Sequence, residues 1–167
     1  MDLGLKGKSV IVAASSKGLG RAIAQQFAEE GAHVLISSRS EEELKQAVEE
    51  IKEKTGNKEV RYQVCDVTDA QQSKRLVATA IAWNGRVDVL INNAGGPPAG
   101  VFDDFSDEDW QKAFELNLLS FIRLIREVLP SMRESGAGRI VNVASSSVKE
   151  SLDNLTLSNT FRAGIVG

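Results

Sequence analysis

The run Ala13-Ala14-Ser15-Ser16-Lys17-Gly18-Leu19-Gly20 lies between a short apolar segment and an amphipathic stretch that begins at Arg21, and it constrains the fold more than any other part of the chain. It predicts a strand, a tight turn and a helix start. Glycines let the backbone approach a bound anion, and the free N–H groups and positive dipole end of the helix favour a phosphate there. A nucleotide is therefore the first ligand to consider, although two glycines in such a turn are common and weak evidence alone.

The rest of the chain narrows the class. With 167 residues, 42% hydrophobic and 26% charged, it can bury one sizeable core, and a single domain over residues 1–167 is expected. The net charge of −3 offers no basic field to a nucleic-acid backbone. No apolar stretch is long enough to cross a bilayer, and Met1-Asp2-Leu3-Gly4 lacks a basic region followed by an apolar signal core. The single cysteine, Cys65, cannot form an internal disulfide and reads as a small buried hydrophobe. A cytoplasmic protein is expected, with neither nucleic acid nor membrane as partner.

Apolar runs rich in β-branched residues alternate with segments of helical period, which predicts repeated strand–helix units and a parallel sheet. Strands are expected at Ser9–Ala13, His33–Ser37, Val60–Cys65, Val87–Ile91 and Arg139–Ala144. Ser40 with Glu43, Thr68 with Gln71 and Ser106 with Asp109 resemble capping boxes or their Asp variant, and Gly31, Gly56, Gly85 and Gly136 follow helical segments. A long helix from Asp107 to about Glu134 carries apolar residues on more than one face, as if it packed on both the sheet and a second subunit. Right-handed crossovers then give an α/β, Rossmann-like, doubly wound parallel sheet of strand order 3-2-1-4-5 with helices on both faces.

In such folds the end of the second strand meets the adenosine ribose, where an acid selects a free 2′-hydroxyl and a base accommodates a 2′-phosphate. Here that place reads Ser37-Ser38-Arg39, with no acid before Glu41. Arg39 offers a charged planar fork and Lys17 a second cation, which points to NADP(H); solvated basic residues at helix starts are the plainer alternative.

Asp66-Val67 follows the third strand, Asn92-Asn93-Ala94-Gly95 the fourth, Asn117 lies in the long helix, and Gly138-Arg139-Ile140-Val141-Asn142-Val143-Ala144-Ser145 covers the fifth. With the glycine turn, these motifs make the chain resemble the short-chain dehydrogenase/reductase family, especially its 3-oxoacyl-acyl-carrier-protein-reductase-like members. Ala14 stands where that family usually has its first glycine. The resemblance implies cofactor contacts at Ala14, Ser16, Lys17, Gly18, Leu19 and Gly20, at Ser38 and Arg39, at Asp66 and Val67, and at Asn93, Ala94 and Gly95. It also implies a small-molecule carbonyl or alcohol substrate and a homo-oligomer, dimer or tetramer.

Family members commonly use an Asn-Ser-Tyr-Lys group. By resemblance Asn117 supports a water-linked proton path and Ser145 holds the substrate oxygen, while the places of tyrosine and lysine hold Ser158 and Arg162. The sole tyrosine, Tyr62, lies in the third strand and reads as a core or sheet-face residue. A serine hydroxyl is a poorer and shorter proton donor than a phenol, and Arg162 keeps the positive charge without titrating. A water bridging Ser158 to the substrate, with Arg162 orienting ribose or stabilising negative charge, is one expectation. Ordinary helix residues at both places are the other.

Two functions follow: an NADP(H)-dependent carbonyl/alcohol oxidoreductase, or a catalytically weak or inactive NADP-binding scaffold or sensor. The family's further strands and substrate-binding segment are not in these residues, so either the chain is a fragment or a partner covers the edge of strand five. His33 and the acids from Asp103 to Asp109 read as a satisfied surface histidine and as helix-dipole compensation, and no metal is expected.

Overall fold

The computed structural model describes residues 2–167. β1 (Ser9–Val12), β2 (His33–Ser38), β3 (Val60–Val64), β4 (Val89–Asn92) and β5 (Arg139–Asn142) form one parallel sheet in the order β3-β2-β1-β4-β5. This is the Rossmann-like order expected from the alternation of strands and helices. Between the strands run α1 (Gly18–Glu29), α2 (Glu41–Thr55), α3 (Ala70–Asn84), α4 (Asp107–Phe114) and α5 (Ser120–Glu134), and α6 (Thr156–Val166) follows β5.

Alternation along β1 shows how the sheet divides its core. Val10 and Val12 point into one apolar cluster with Ala24, Ala28, Leu44 and Ile51 of α1 and α2, while Ile11 and Ala13 point into another with Leu76 of α3 and Leu124 and Val128 of α5. Both faces of the central strands are thus covered, which is why their sequences are almost continuously hydrophobic. The sheet edges differ: Arg61 of β3 is exposed, and Val141 of β5 is 49% exposed.

The strand bounds differ slightly from expectation because the chain leaves the ladder where the turns at the strand ends begin. Ala14 already has φ +47, and Val89 rather than Val87 opens β4 because Val87 N–H donates to the Ser131 hydroxyl at 3.1 Å. The caps sort into three outcomes. Ser106 and Asp109 form the full reciprocal box. Ser40 Oγ accepts from Glu43 N–H at 3.3 Å, but the Glu43 carboxylate does not reach back, so that box is half formed. Thr68 caps nothing: Asp69 caps α3 by accepting from Gln71 and Gln72, and Thr68 instead donates to Asp66 Oδ1. Asp69 is the last extended residue before α3, so its carboxylate and not the Thr68 hydroxyl faces the first free N–H groups.

The expected long helix is continuous from Asp107 to Glu134 but not uniform. Glu115–Leu119 forms a π-type turn between α4 and α5, and Asn117 sits buried inside it. Such a turn inserts an extra residue and redirects a side chain, a pattern frequent at functional sites.

Candidate active site

Four turns at the carboxyl ends of β1 to β4 enclose a cleft of about 670 Å³, within the range of small-molecule sites. Of the residues singled out from sequence, Ala14, Ser16, Lys17, Leu19, Gly20, Ser38, Arg39, Asp66, Val67, Asn93, Ala94 and Gly95 line it. Gly18 does not, although it starts α1 beside them.

The glycine turn is built by backbone constraints. Gly18 has φ +58, a region costly for other residues, and a Cβ there would meet nothing within 4 Å. Gly20 is the opposite case: a Cβ would lie 2.5 Å from the Ala14 carbonyl oxygen and 2.9 Å from Asn93 Nδ2. Close packing, not conformation, requires glycine at this second position. Two side chains then tie the turn to neighbouring strands. Ser15 Oγ donates to Val12 O at 2.6 Å and accepts from Ser37 N–H at 3.0 Å, while Asn93 Nδ2 donates to Ala14 O at 3.0 Å and Ala13 O at 3.3 Å. The start of α1 is thereby held open towards the cleft. Its unpaired N–H groups and the rim cations Lys17 and Arg39 suit the phosphates of a dinucleotide.

The residues expected at the reaction centre lie behind this wall rather than on it. Asn117 Nδ2 donates to the Gly95 carbonyl at 2.7 Å, and its Oδ1 is buried without a partner. Arg162 is 6% exposed; Nη1 donates to Val143 O at 2.8 Å and Nη2 to Ala94 O at 3.3 Å, with Nε buried and unpaired. Burial pulls its pKa below the ordinary arginine value. Ser158 Oγ is buried 3.4 Å from Ser147 Oγ. Ser145 is half-buried and caps the short 3₁₀ turn Ser146–Val148 by accepting from Ser147 N–H at 3.2 Å. Asn117 and Arg162 therefore meet at consecutive carbonyls of the Ala94-Gly95 segment.

Sequence reasoning missed Ser40, Glu43, Cys65, Thr68, Lys112, Glu115 and Leu116 as lining residues. Cys65 is buried as expected, and burial raises its thiol pKa to about 11. Lys112, Glu115 and Leu116 come from α4 and the π-type turn and carry no local signal of a site. The remaining titratable candidates have structural partners: His33 stacks on Trp83 at 5.6 Å and its Nδ1 lies 2.6 Å from Asn84 Oδ1, and the Tyr62 hydroxyl donates to Glu41 Oε1 at 3.0 Å. Among the described residues no cluster of His, Cys, Asp or Glu could hold a metal, and no helix is long and apolar enough to cross a membrane.

Comparison with known proteins bears on this geometry. Residues 8–160 match the family model described as short chain dehydrogenase. A ketoacyl reductase, HetN, of a Nostoc species is 39% identical over 97% of this chain and 56% of its own length. Among solved structures, L-sorbose reductase from Gluconobacter frateurii, complexed with NADPH and L-sorbose, superposes with TM-score 0.94 and 34% identity over 99% of this chain and 62% of that one. A 7α-hydroxysteroid dehydrogenase complexed with NADH and 7-oxo glycochenodeoxycholic acid gives TM-score 0.90 and 34% identity over 96% and 62%. The chain thus spans roughly three-fifths of the length of the curated relatives it matches.

Proposed function

Because this chain belongs to the short-chain dehydrogenase family, we propose that it is an oxidoreductase that interconverts a carbonyl and a secondary alcohol with NADP(H). The observation that carries this reading is the convergence of the β1, β2, β3 and β4 turns on one cleft. The substrates named for its relatives support the reaction class, since a ketoacyl group, a ketose and a 7-oxo steroid share little beyond a carbonyl. The nucleotides named with the structural relatives include both NADPH and NADH. The preference for NADP(H) rests on this chain's own rim at the end of β2, where Arg39 and the neighbouring Lys17 are cations and no acid lies between Ser37 and Ser40. An oxoacyl thioester is the substrate class that the likeness to a ketoacyl reductase favours.

When bound, the nicotinamide would supply or accept the hydride. The turn from Ala14 to Gly20 would hold the phosphates on its N–H groups, with Ser38 and Arg39 at the adenosine 2′-position and Asp66 and Val67 beside adenine. Asn93, Ala94 and Gly95 would form the wall next to the reacting carbon. Ser145 would hold the substrate oxygen and Asn117 a water-linked proton path, with Ser158 passing a proton through a bridging water and Arg162 setting the position of the Ala94 wall. A homo-oligomeric, cytoplasmic protein in which residues 1–167 form a single dinucleotide-binding domain accompanies this reading.

A second reading, an NADP-binding scaffold or sensor with weak or no catalysis, is favoured by one specific observation. The guanidinium of Arg162 is spent on Val143 O and Ala94 O, and the Ser158 hydroxyl lies against Ser147. Titration of the chain with NADPH by fluorescence, followed by turnover assays on oxoacyl thioesters, ketoses and oxo-steroids, separates the two. Binding with substrate-dependent NADPH oxidation that falls in Ser158→Ala is the expected result. Binding with no oxidation of NADPH by any of these carbonyls would replace the first reading with the second, and no binding would overturn both.

A further inference from the structure

Glu43 is the residue of the cleft whose side chain departs furthest from its local role. As the third residue of α2 it is placed to reach back to Ser40, yet both carboxylate oxygens are taken by the glycine turn. Oε2 accepts from Ser16 Oγ at 2.9 Å, and Oε1 accepts from Lys17 Nζ at 3.1 Å. The Ser16 hydroxyl, then Lys17, holds its carboxyl below the usual glutamate range. Arg39, on the same rim, makes no side-chain hydrogen bond or ion pair with any described residue. The rim therefore offers two cations and a hydroxyl to an incoming anion, and an internal acid already occupies one cation and the hydroxyl.

Resting on the reading that this cleft takes a nicotinamide dinucleotide, we infer that Glu43 is a specificity-determining residue at the adenosine end, an internal rival of the 2′-phosphate for Ser16 and Lys17. A phosphate approaching Arg39 meets a carboxylate on the neighbouring donors and must displace it, whereas an unphosphorylated ribose need not. The lysine is largely exposed, so its pairing with Glu43 is weak and displaceable. The acid lowers affinity for the phosphorylated cofactor without blocking it, and it narrows the preference that Lys17 and Arg39 alone would set. This separates Glu43 from an acid at the end of β2 that grips ribose hydroxyls.

The test measures binding rather than turnover. NADPH, NADH, adenosine 2′,5′-bisphosphate and adenosine 5′-monophosphate are titrated by calorimetry onto the wild-type chain and onto Glu43→Gln, which keeps shape and removes charge. Binding of the two 2′-phosphorylated ligands is expected to tighten about fivefold in the variant, with the other two within about twofold, from like-charge repulsion at a solvated rim. The gain shrinks in high salt. Unchanged binding of the bisphosphate, or a selective loss of NADH affinity, would overturn the inference while leaving the cofactor reading intact. Failure of all four ligands to bind the wild type would instead overturn the cofactor reading, and the inference with it. Glu43→Ala, tested alongside, should show the same selectivity.

Discussion

The turns after β1 and β4 and the segment from the end of β5 through α6 are positioned by different means, the first lining the cleft and the second lying behind its wall. In the first, backbone conformation and close approach do the positioning: Gly18 supplies a positive φ, Gly20 leaves no room for a side chain, and Asn93 ties the turn to β4. In the second, side chains are turned inwards. Arg162 joins the carbonyl of Ala94 to that of Val143, and Ser158 is buried against Ser147. The first region leaves donors available to a ligand, while the second consumes its polar groups in holding the wall of the first. A resemblance in sequence therefore translates into geometry more directly for phosphate binding than for proton transfer.

The sharpest break of this contrast is Gly20→Ala. Its Cβ would press on the Ala14 carbonyl and Asn93, at a cost of about 2–3 kcal/mol for overpacking, and NADPH binding is expected to vanish. Retained binding with an unchanged unfolding midpoint would mean the turn yields easily. Arg162→Met tests the other region. Two backbone carbonyls lose their donor, and denaturant unfolding should show a loss of about 1–3 kcal/mol. If stability holds and only turnover falls, Arg162 acts in the reaction and not through the wall.

Asn93→Ala removes the link from β4 to the turn and should cost about 1–2 kcal/mol, with NADPH affinity falling more than stability. The smallest effects concern pH. Asp69 and Asp109 carboxylates are held below their ordinary value, Asp69 by its backbone and side-chain bonds from Gln72 and Asp109 by the Ser106 hydroxyl. Their capping help is present above the unfolded value of 3.8 and is lost as pH falls through the lowered folded values. Circular dichroism should therefore show α3 and α4 fraying only in strong acid. Cys65 runs the other way: its folded pKa is raised to about 11, so its contribution is full below pH 9 and is lost as pH rises from 9 to 11. Thiol labelling of the native chain at pH 8 should be slow, and rapid labelling would show that the cleft floor opens.

Much of the molecule is legible in the chain because the signals are local. The glycine turn, the apolar strand runs and the caps at Ser40 and Ser106 each act within a few residues, and strand alternation with helices leaves little freedom in the order of a parallel sheet. Thr68 misled because two neighbouring residues compete for one cap and Asp69 reaches it. Glu43 was legible as a capping residue only, since nothing local says that its carboxylate turns to Ser16 and Lys17. Lys112, Glu115 and Leu116 were invisible for the same reason: their place in the cleft depends on how α4 docks on the sheet.

By itself the sequence determined the parallel α/β order, the glycine turn and the cationic residues beside it, because period, turn chemistry and charge are properties of neighbouring residues. Only the tertiary structure decided where the polar side chains spend their hydrogen bonds. Arg162 serves the carbonyls of Ala94 and Val143, and Glu43 serves the glycine turn, because buried or crowded polar groups take whichever partner the packing of distant elements brings within reach.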